Sequence, residues 1–173
     1  FGVDDANTAV FNPIYASSLA VPECYREGNG DLLTFSWTSA FWIHNWVANM
    51  AYHKYNFMIK DIRKVQSEIE DGYRDRIPAI DKAALTLHEK SPEEARRFLT
   101  WYSTTSAESA TARWKQLGEY LLVKYIDGNV KKEENGQFKR NPYGLPAAPD
   151  WPGYDEEYYR NLVKEGGENL KAE

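Results

Sequence analysis

A nucleophile, a base and an acid are what hydrolytic chemistry requires, and this chain spends few residues on them. Cys24 is the only thiol in 173 residues. A cysteine nucleophile needs an adjacent base and a lowered pKa, and no histidine is near Cys24 in sequence. It reads as a structural or surface cysteine, and a single cysteine excludes an internal disulfide framework. The three histidines are His44, His53 and His88. His44 and His53 lie nine positions apart, about 2.5 helical turns, which puts them on different faces. No H-E-x-x-H or C-x-x-C spacing occurs, so single, solvated or locally bonded histidines are expected and no metal. Asp4 and Asp5 form a carboxylate pair that could divide acid and base roles only if burial set their pKa values apart. The preference of Asp for turns favours a turn or surface role. Asn45 and Asn49, spaced i, i+4, share one helical face. They are expected to hold that helix against neighbouring backbone, or alternatively to approach a substrate cleft.

The element that carries these amides is the most distinctive in the chain. In FSWTSAFWIHNWVANMAYHKY, Phe35 to Tyr55, three of the six tryptophans (Trp37, Trp42, Trp46) fall within ten positions. Aromatic residues bury large apolar areas, so core packing is expected rather than a ligand cage. One helix is predicted from about Ser39 to Asp71, with a buried first half in which Trp42, Trp46 and Met50 share a face. Met58, Ile62, Val65 and Ile69 then step by four, three and four, an amphipathic stripe. Thr38 or Ser39 can cap its start.

Gly72 weakens the pattern and Pro78 suits the first turn of another helix, with Ile80, Ala83, Ala84 and Leu87 as its apolar face. Ser91-Pro92-Glu93-Glu94 is a start signal, a capping hydroxyl followed by an N1 proline and a Glu three positions on. That helix is expected to end near Tyr102, where Ser103 to Ser106 form a polar break. A further helix, about Ala107 to Ile126, carries Trp114, Leu117, Leu121, Leu122 and Tyr125, and Gly128 suits a left-handed cap. Before all of these, Thr8 to Tyr15 mixes strand formers with Pro13, which points to an edge strand or bulge, followed by a loop over residues 16–31. After residue 129 the prolines 142, 146, 149 and 152 imply an extended arm anchored by Tyr143, Trp151 and Tyr154. A short helix over about Asp155 to Lys164 and a frayed end complete the chain.

Composition narrows the function classes. Hydrophobic residues are 42% and charged residues 27%, values of a folded domain rather than a disordered one. The net charge of −5 and dispersed Lys and Arg give no footprint for nucleic acid. No run reaches the length of a transmembrane helix; residues 40–59 come closest but are interrupted by His44, Asn45, Asn49 and Lys54. Compartment stays open between cytoplasmic and exported.

The order of residues is more specific than their composition. The blocks FGVDDANTAVFNPIYASSLAVPECYREGNGDLL and SAFWIHNWVANMAYHKYNFMIKDIRKVQ together resemble the dipeptidase A-like cysteine peptidases, a bacterial family related to secernin. The resemblance covers roughly Phe1 to Gln66. It implies an N-terminal-nucleophile hydrolase in which a terminal cysteine attacks small peptides with its own α-amino group as the base, and it implies no cofactor. Phe1 offers no such nucleophile. This chain is therefore expected to be the C-terminal, mainly α region of such an enzyme, inactive alone, with the N-terminal catalytic part of the same enzyme as its partner. The expected architecture is a helical bundle around the aromatic helix, with a short N-terminal β element that in the full enzyme joins an αββα sheet. One structural domain is expected, divided into a β element and loop (1–36), a helical core (37–128) and a Pro-rich arm with a terminal helix (129–173). A homo-oligomer is compatible with this. The rival reading is a non-catalytic helical interaction module, its stripe from Met58 to Ile69 packing on a partner helix, or part of a related amidase or acylase.

Overall fold

The computed structural model describes residues 1–154 and 156–170, and within them the chain is mainly helical. The helices are α1 (Ala40–His53), α2 (Tyr55–Lys90), α3 (Pro92–Tyr125) and α4 (Glu156–Gly166). The strands β1 (Glu133–Glu134) and β2 (Gln137–Phe138) form one antiparallel hairpin. The chain divides into two compact units, Phe1–Val123 and Lys124–Glu173.

The first unit is built on a long helical hairpin. At 1.5 Å per residue, α2 and α3 extend about 50 Å each. Ser91 joins them as both the C-cap of α2 and the start signal of α3: its Oγ accepts from Glu94 N–H at 3.3 Å, while its own N–H donates to Leu87 O at 2.7 Å. Separate helices on either side of Ser91 are therefore as the sequence predicts. Helix α1 packs on the pair through Ile43, His44, Val47, Ala48 and Ala51, all buried. Ile62 of α2 and Trp114, Leu117 and Leu121 of α3 fill the same core.

Three boundaries differ from the sequence reading. The predicted helix from Ser39 to Asp71 is two helices, broken at Lys54, where φ −148° and ψ 51° leave the helical region. Nothing local marks that break: no Gly or Pro is present, and the buried positions Ala51, Met58, Ile62 and Val65 keep helical phase across it. Next, α2 does not stop at Gly72 but runs on through Pro78 to Lys90. A mid-helix proline leaves the carbonyl four residues earlier without its bond and costs roughly 3 kcal/mol. Burial of Tyr73 before it and Ala84 after it holds the helix together across the defect. Finally, the Ser103 to Ser106 tract lies inside α3 rather than ending a helix. Its hydroxyls are used: Thr105 Oγ1 donates to Trp101 O at 2.7 Å, and Ser103 Oγ, fully buried, accepts from Tyr15 N–H at 3.1 Å.

The buried face of α1 is also rotated from the predicted one. Trp42, Trp46 and Met50 are half-buried, whereas their neighbours Ile43, Val47 and Ala51 are fully buried. Trp46 covers Gly118 of α3, and Trp37 meets Trp46 edge-on at 5.1 Å. The Trp42 Nε1–H points to the loop carbonyls of Asp31 and Thr34, at 3.0 and 2.9 Å. The tryptophans thus roof the helix, and small and branched residues fill the space beneath.

Residues 8–15 form no strand. The segment is extended but pairs with side chains of α2 and α3 instead of a ladder. Gln66 Nε2 donates to Ala9 O at 2.6 Å, Phe11 N–H to Glu70 Oε1 at 3.0 Å, and Tyr15 N–H to Ser103 Oγ at 3.1 Å. Thr8, Val10 and Asn12 are buried, while Phe11 and Ile14, read as strand formers, are 51% and 37% exposed. Backbone groups must be satisfied wherever they are buried, and here long polar side chains on the helices supply what a neighbouring strand would.

In the second unit, the only strand pairing among the described residues turns at Asn135 and Gly136, φ 52° and 76°, the mirror-image turn that Asn-Gly favours. Isolated bridges pair Val130 with Asp150 and Arg140 with Pro146, so the arm is a set of short loops rather than one extended run. Tyr143, Trp151 and Tyr154 are 88%, 69% and 70% exposed and are not buried anchors. Helix α3 ends at Tyr125, and Asp127 and Gly128 both take left-handed φ, 61° and 74°. Fraying is expected over Glu165 to Glu173, but α4 runs to Gly166 and a 3-10 turn follows over Gly167–Leu170; the helix start at Asp155 and residues 171–173 lie outside the described residues.

Candidate functional site

The N-terminal segment brings several polar side chains together where it crosses α2 and α3. Asn12 is the centre. Its Nδ2 donates to the Tyr25 hydroxyl at 2.6 Å, and its Oδ1 lies 2.8 Å from the Tyr73 hydroxyl. Tyr73 has a second acceptor, Ser106 O at 2.9 Å. One hydroxyl proton serves two acceptors, so the cluster is a shared bond joining segment, α2 and α3. Burial pushes the Tyr73 phenol up to about 12 and raises Tyr25 further. Both stay neutral, as a structural cluster requires. Tyr15 adds a tie to α2, its hydroxyl donating to Asp81 Oδ1 at 2.5 Å.

Cys24 sits in the short 3-10 turn Glu23–Tyr25, buried against Ala40 and Ala107. Desolvation raises its thiol pKa, and the Thr111 hydroxyl only partly offsets that. A buried thiol with a raised pKa is the opposite of an activated nucleophile.

The histidines are scattered. His53 and His88 are exposed. His44 is 1% exposed, stacked on Trp114 with ring centroids 5.3 Å apart, and neither of its ring nitrogens has a partner among the described residues. Desolvation lowers its pKa to about 4, so it is a neutral aromatic filler rather than the solvated or locally bonded residue the sequence suggests. No cluster of metal-ligating side chains occurs among the described residues, and none of their helices is long and apolar enough to cross a membrane.

Asp4 takes φ 67°, and Asp5 closes the adjoining turn, accepting from Asn7 N–H at 2.9 Å and from the Tyr52 hydroxyl at 2.5 Å. The Tyr52 bond is the main cause of the lowered Asp5 pKa. Asp5 is committed to its turn and to Tyr52, so the pair closes a turn rather than dividing acid and base work. Asn45 is half-buried and Asn49 exposed. They bond to one another: Asn49 Nδ2 donates to Asn45 O at 2.8 Å and to Asn45 Oδ1 at 3.1 Å. The amides finish the surface of α1 rather than tie it to a neighbouring backbone.

Three concave regions among the described residues of the first unit bear on function. One of about 430 Å³ includes Cys24, Tyr25, Arg26, Asp31, Leu32 and Phe41. A second, of about 520 Å³, is bordered by Ile14, Leu19, Val21 and Pro22 and is largely apolar. The third lies between α2 and α3, about 420 Å³, and contains Arg76, Arg113, Tyr102 and Trp101. None combines a thiol with a histidine. Neither Asn45 nor Asn49 lines any of them. The arginine pair escaped the sequence reading because its members lie on different helices, and only the turn at Ser91 brings them to one groove.

Among known families, residues 1–68 match the model of peptidase family C69. The matched stretch takes in the N-terminal segment, the loop around Cys24, α1 and the first part of α2. No curated protein and no solved structure matches the chain.

Proposed function

From the match of residues 1–68 to the model of peptidase family C69, we propose that the chain is the helical support of a dipeptidase whose nucleophile lies outside residues 1–173. The reaction class is hydrolysis of peptide bonds. The reading assigns the attack to the thiolate of an N-terminal cysteine. Its α-amino group takes the proton and returns it to the leaving amine, and water then releases the acyl group. Dipeptides and other small peptides are the proposed substrates.

One observation carries this assignment. The only thiol of the chain is buried, with its pKa raised by desolvation, so a cysteine peptidase must draw its nucleophile from elsewhere. The surface of the matched segment supports a supporting role. Leu32, Leu33, Phe35 and Trp37 are 79%, 98%, 48% and 50% exposed in sequence proximity, and clustered exposed apolar residues mark contact surfaces. We assign this face to the catalytic part. The rival reading, a module that offers the stripe from Met58 to Ile69 to another helix, loses its surface: Met58, Ile62 and Val65 are 6%, 0% and 6% exposed within this chain.

The test is an assay of the 173-residue chain on a panel of dipeptides with and without thiol reductant. No hydrolysis is expected. Turnover abolished by Cys24→Ala would place the nucleophile in this chain and end the proposal.

A further inference from the structure

The cavity between α2 and α3 holds charge that is only partly neutralised. Arg76 and Arg113 line it with one carboxylate, Glu68, and its apolar walls are Ile69, Trp101 and Ala110. Arg113 Nη2 stands 3.3 Å from Glu68 Oε2, and both side chains are part-exposed. A surface pair of that length exchanges readily for a better-placed anion. Arg76 makes no ion pair among the described residues and lies 5.6 Å over the Tyr73 ring. Tyr102 borders the same cavity. It is 6% exposed, and its hydroxyl is buried without a hydrogen-bond partner among the described residues. Such hydroxyls are costly to leave unpaired. Two cations, an orphaned donor and an aromatic wall in a cavity of about 420 Å³ have the size and chemistry of a small-molecule site.

We propose that this cavity binds a small monocarboxylate with an aromatic or apolar side group, as presented by the C-terminal residue of a short peptide. The guanidinium forks of Arg76 and Arg113 match the two carboxylate oxygens, and the Tyr102 hydroxyl donates to one of them. Trp101, 59% exposed, provides the surface for the side group. Two arginines against one glutamate leave a single surplus charge, which suits a monoanion. A phosphate dianion would be repelled by Glu68 and would leave the apolar wall uncovered. The site stands apart from the peptidase reading: no thiol or histidine lines it, and binding there is independent of turnover.

The experiment titrates the 173-residue chain with glycylphenylalanine, with its C-terminal amide, and with inorganic phosphate. Binding is read by calorimetry and by tryptophan fluorescence, with Trp101→Phe identifying the Trp101 signal. The free acid should bind saturably at millimolar concentration, and the amide and phosphate should each be about tenfold weaker or worse. Arg76→Gln, at an exposed position, should lower affinity for the acid about tenfold, as expected for loss of a charge-assisted bond, and leave the thermal unfolding curve in place. Arg113→Gln gives the same readout if Arg76→Gln perturbs folding. Absence of saturable binding, equal affinity for acid and amide, phosphate binding in preference to the dipeptide, or unchanged affinity in folded arginine variants would each overturn the proposal.

Discussion

His44 makes a quantitative prediction about acid sensitivity. The imidazole is buried on α1, stacked on Trp114, and held to a pKa of about 4 by desolvation, against an ordinary value of 6.5. A histidine whose folded pKa is depressed binds its proton better in the unfolded chain. Its effect on stability is therefore absent well above pH 6.5 and grows as a penalty as pH falls towards 4. The full penalty, reached below the folded pKa, is about 3 kcal/mol at about 1.36 kcal/mol per pKa unit. Between pH 7 and pH 5 the same two pKa values give a loss of about 2 kcal/mol. Other groups titrate as well, so the informative quantity is a difference. His44→Phe keeps an aromatic ring beside Trp114 and removes the proton site. Urea unfolding of the parent and the variant at steps from pH 7 to pH 4 should show the parent losing about 2 kcal/mol more than the variant by pH 5. Parallel stability profiles would refute the reasoning, because they would mean that His44 is solvated or has a partner for its proton.

Three further outcomes follow from the packing. Gly118→Ala should destabilise by roughly 1–3 kcal/mol, because the new methyl would strike the Trp46 ring, with Cε3 only 2.7 Å away; a calorimetric melt measures it, and Trp46 fluorescence should shift as the ring moves. Pro78→Ala should raise stability by about 1–3 kcal/mol by restoring a helical bond in the exposed middle of α2, read by chemical denaturation, and an unchanged midpoint would show that the proline is accommodated without loss. Ser91→Ala should cost about 0.5–2 kcal/mol in the same assay, since its Oγ accepts from Glu94 N–H at the start of α3.

What the sequence made legible follows from the range of each interaction. The Ser-Pro-Glu-Glu start of α3 and the left-handed Gly128 are written in adjacent residues, and both were readable. The Asn135-Gly136 hairpin turn is equally local, yet the surrounding prolines drew the reading to an extended arm. The break at Lys54 and the helical passage through Pro78 are set by tertiary packing, against or without a local signal. Thr8 to Tyr15 has strand composition, but its partners Gln66, Glu70 and Ser103 are side chains dozens of positions away, and no local pattern announces them. Burial on α1 was displaced by one position because the aromatics, the largest residues, lie above the core and cover Gly118. At the candidate site, the lack of a histidine near Cys24 in sequence is local information, whereas the burial of its thiol is set by Ala40 and Ala107 on distant elements. The juxtaposition of Arg76, Arg113 and Tyr102 needed the helical hairpin to be known.

Covalent labelling decides whether the catalytic thiol lies outside this chain, as proposed. The complete peptidase is treated with a limiting amount of iodoacetamide until dipeptide hydrolysis is lost, and the alkylated cysteine is located by peptide mapping. Modification is expected at an N-terminal cysteine outside residues 1–173, with Cys24 untouched in the folded protein because it is buried and its thiol pKa is raised. Loss of activity that tracks alkylation of Cys24 would contradict it.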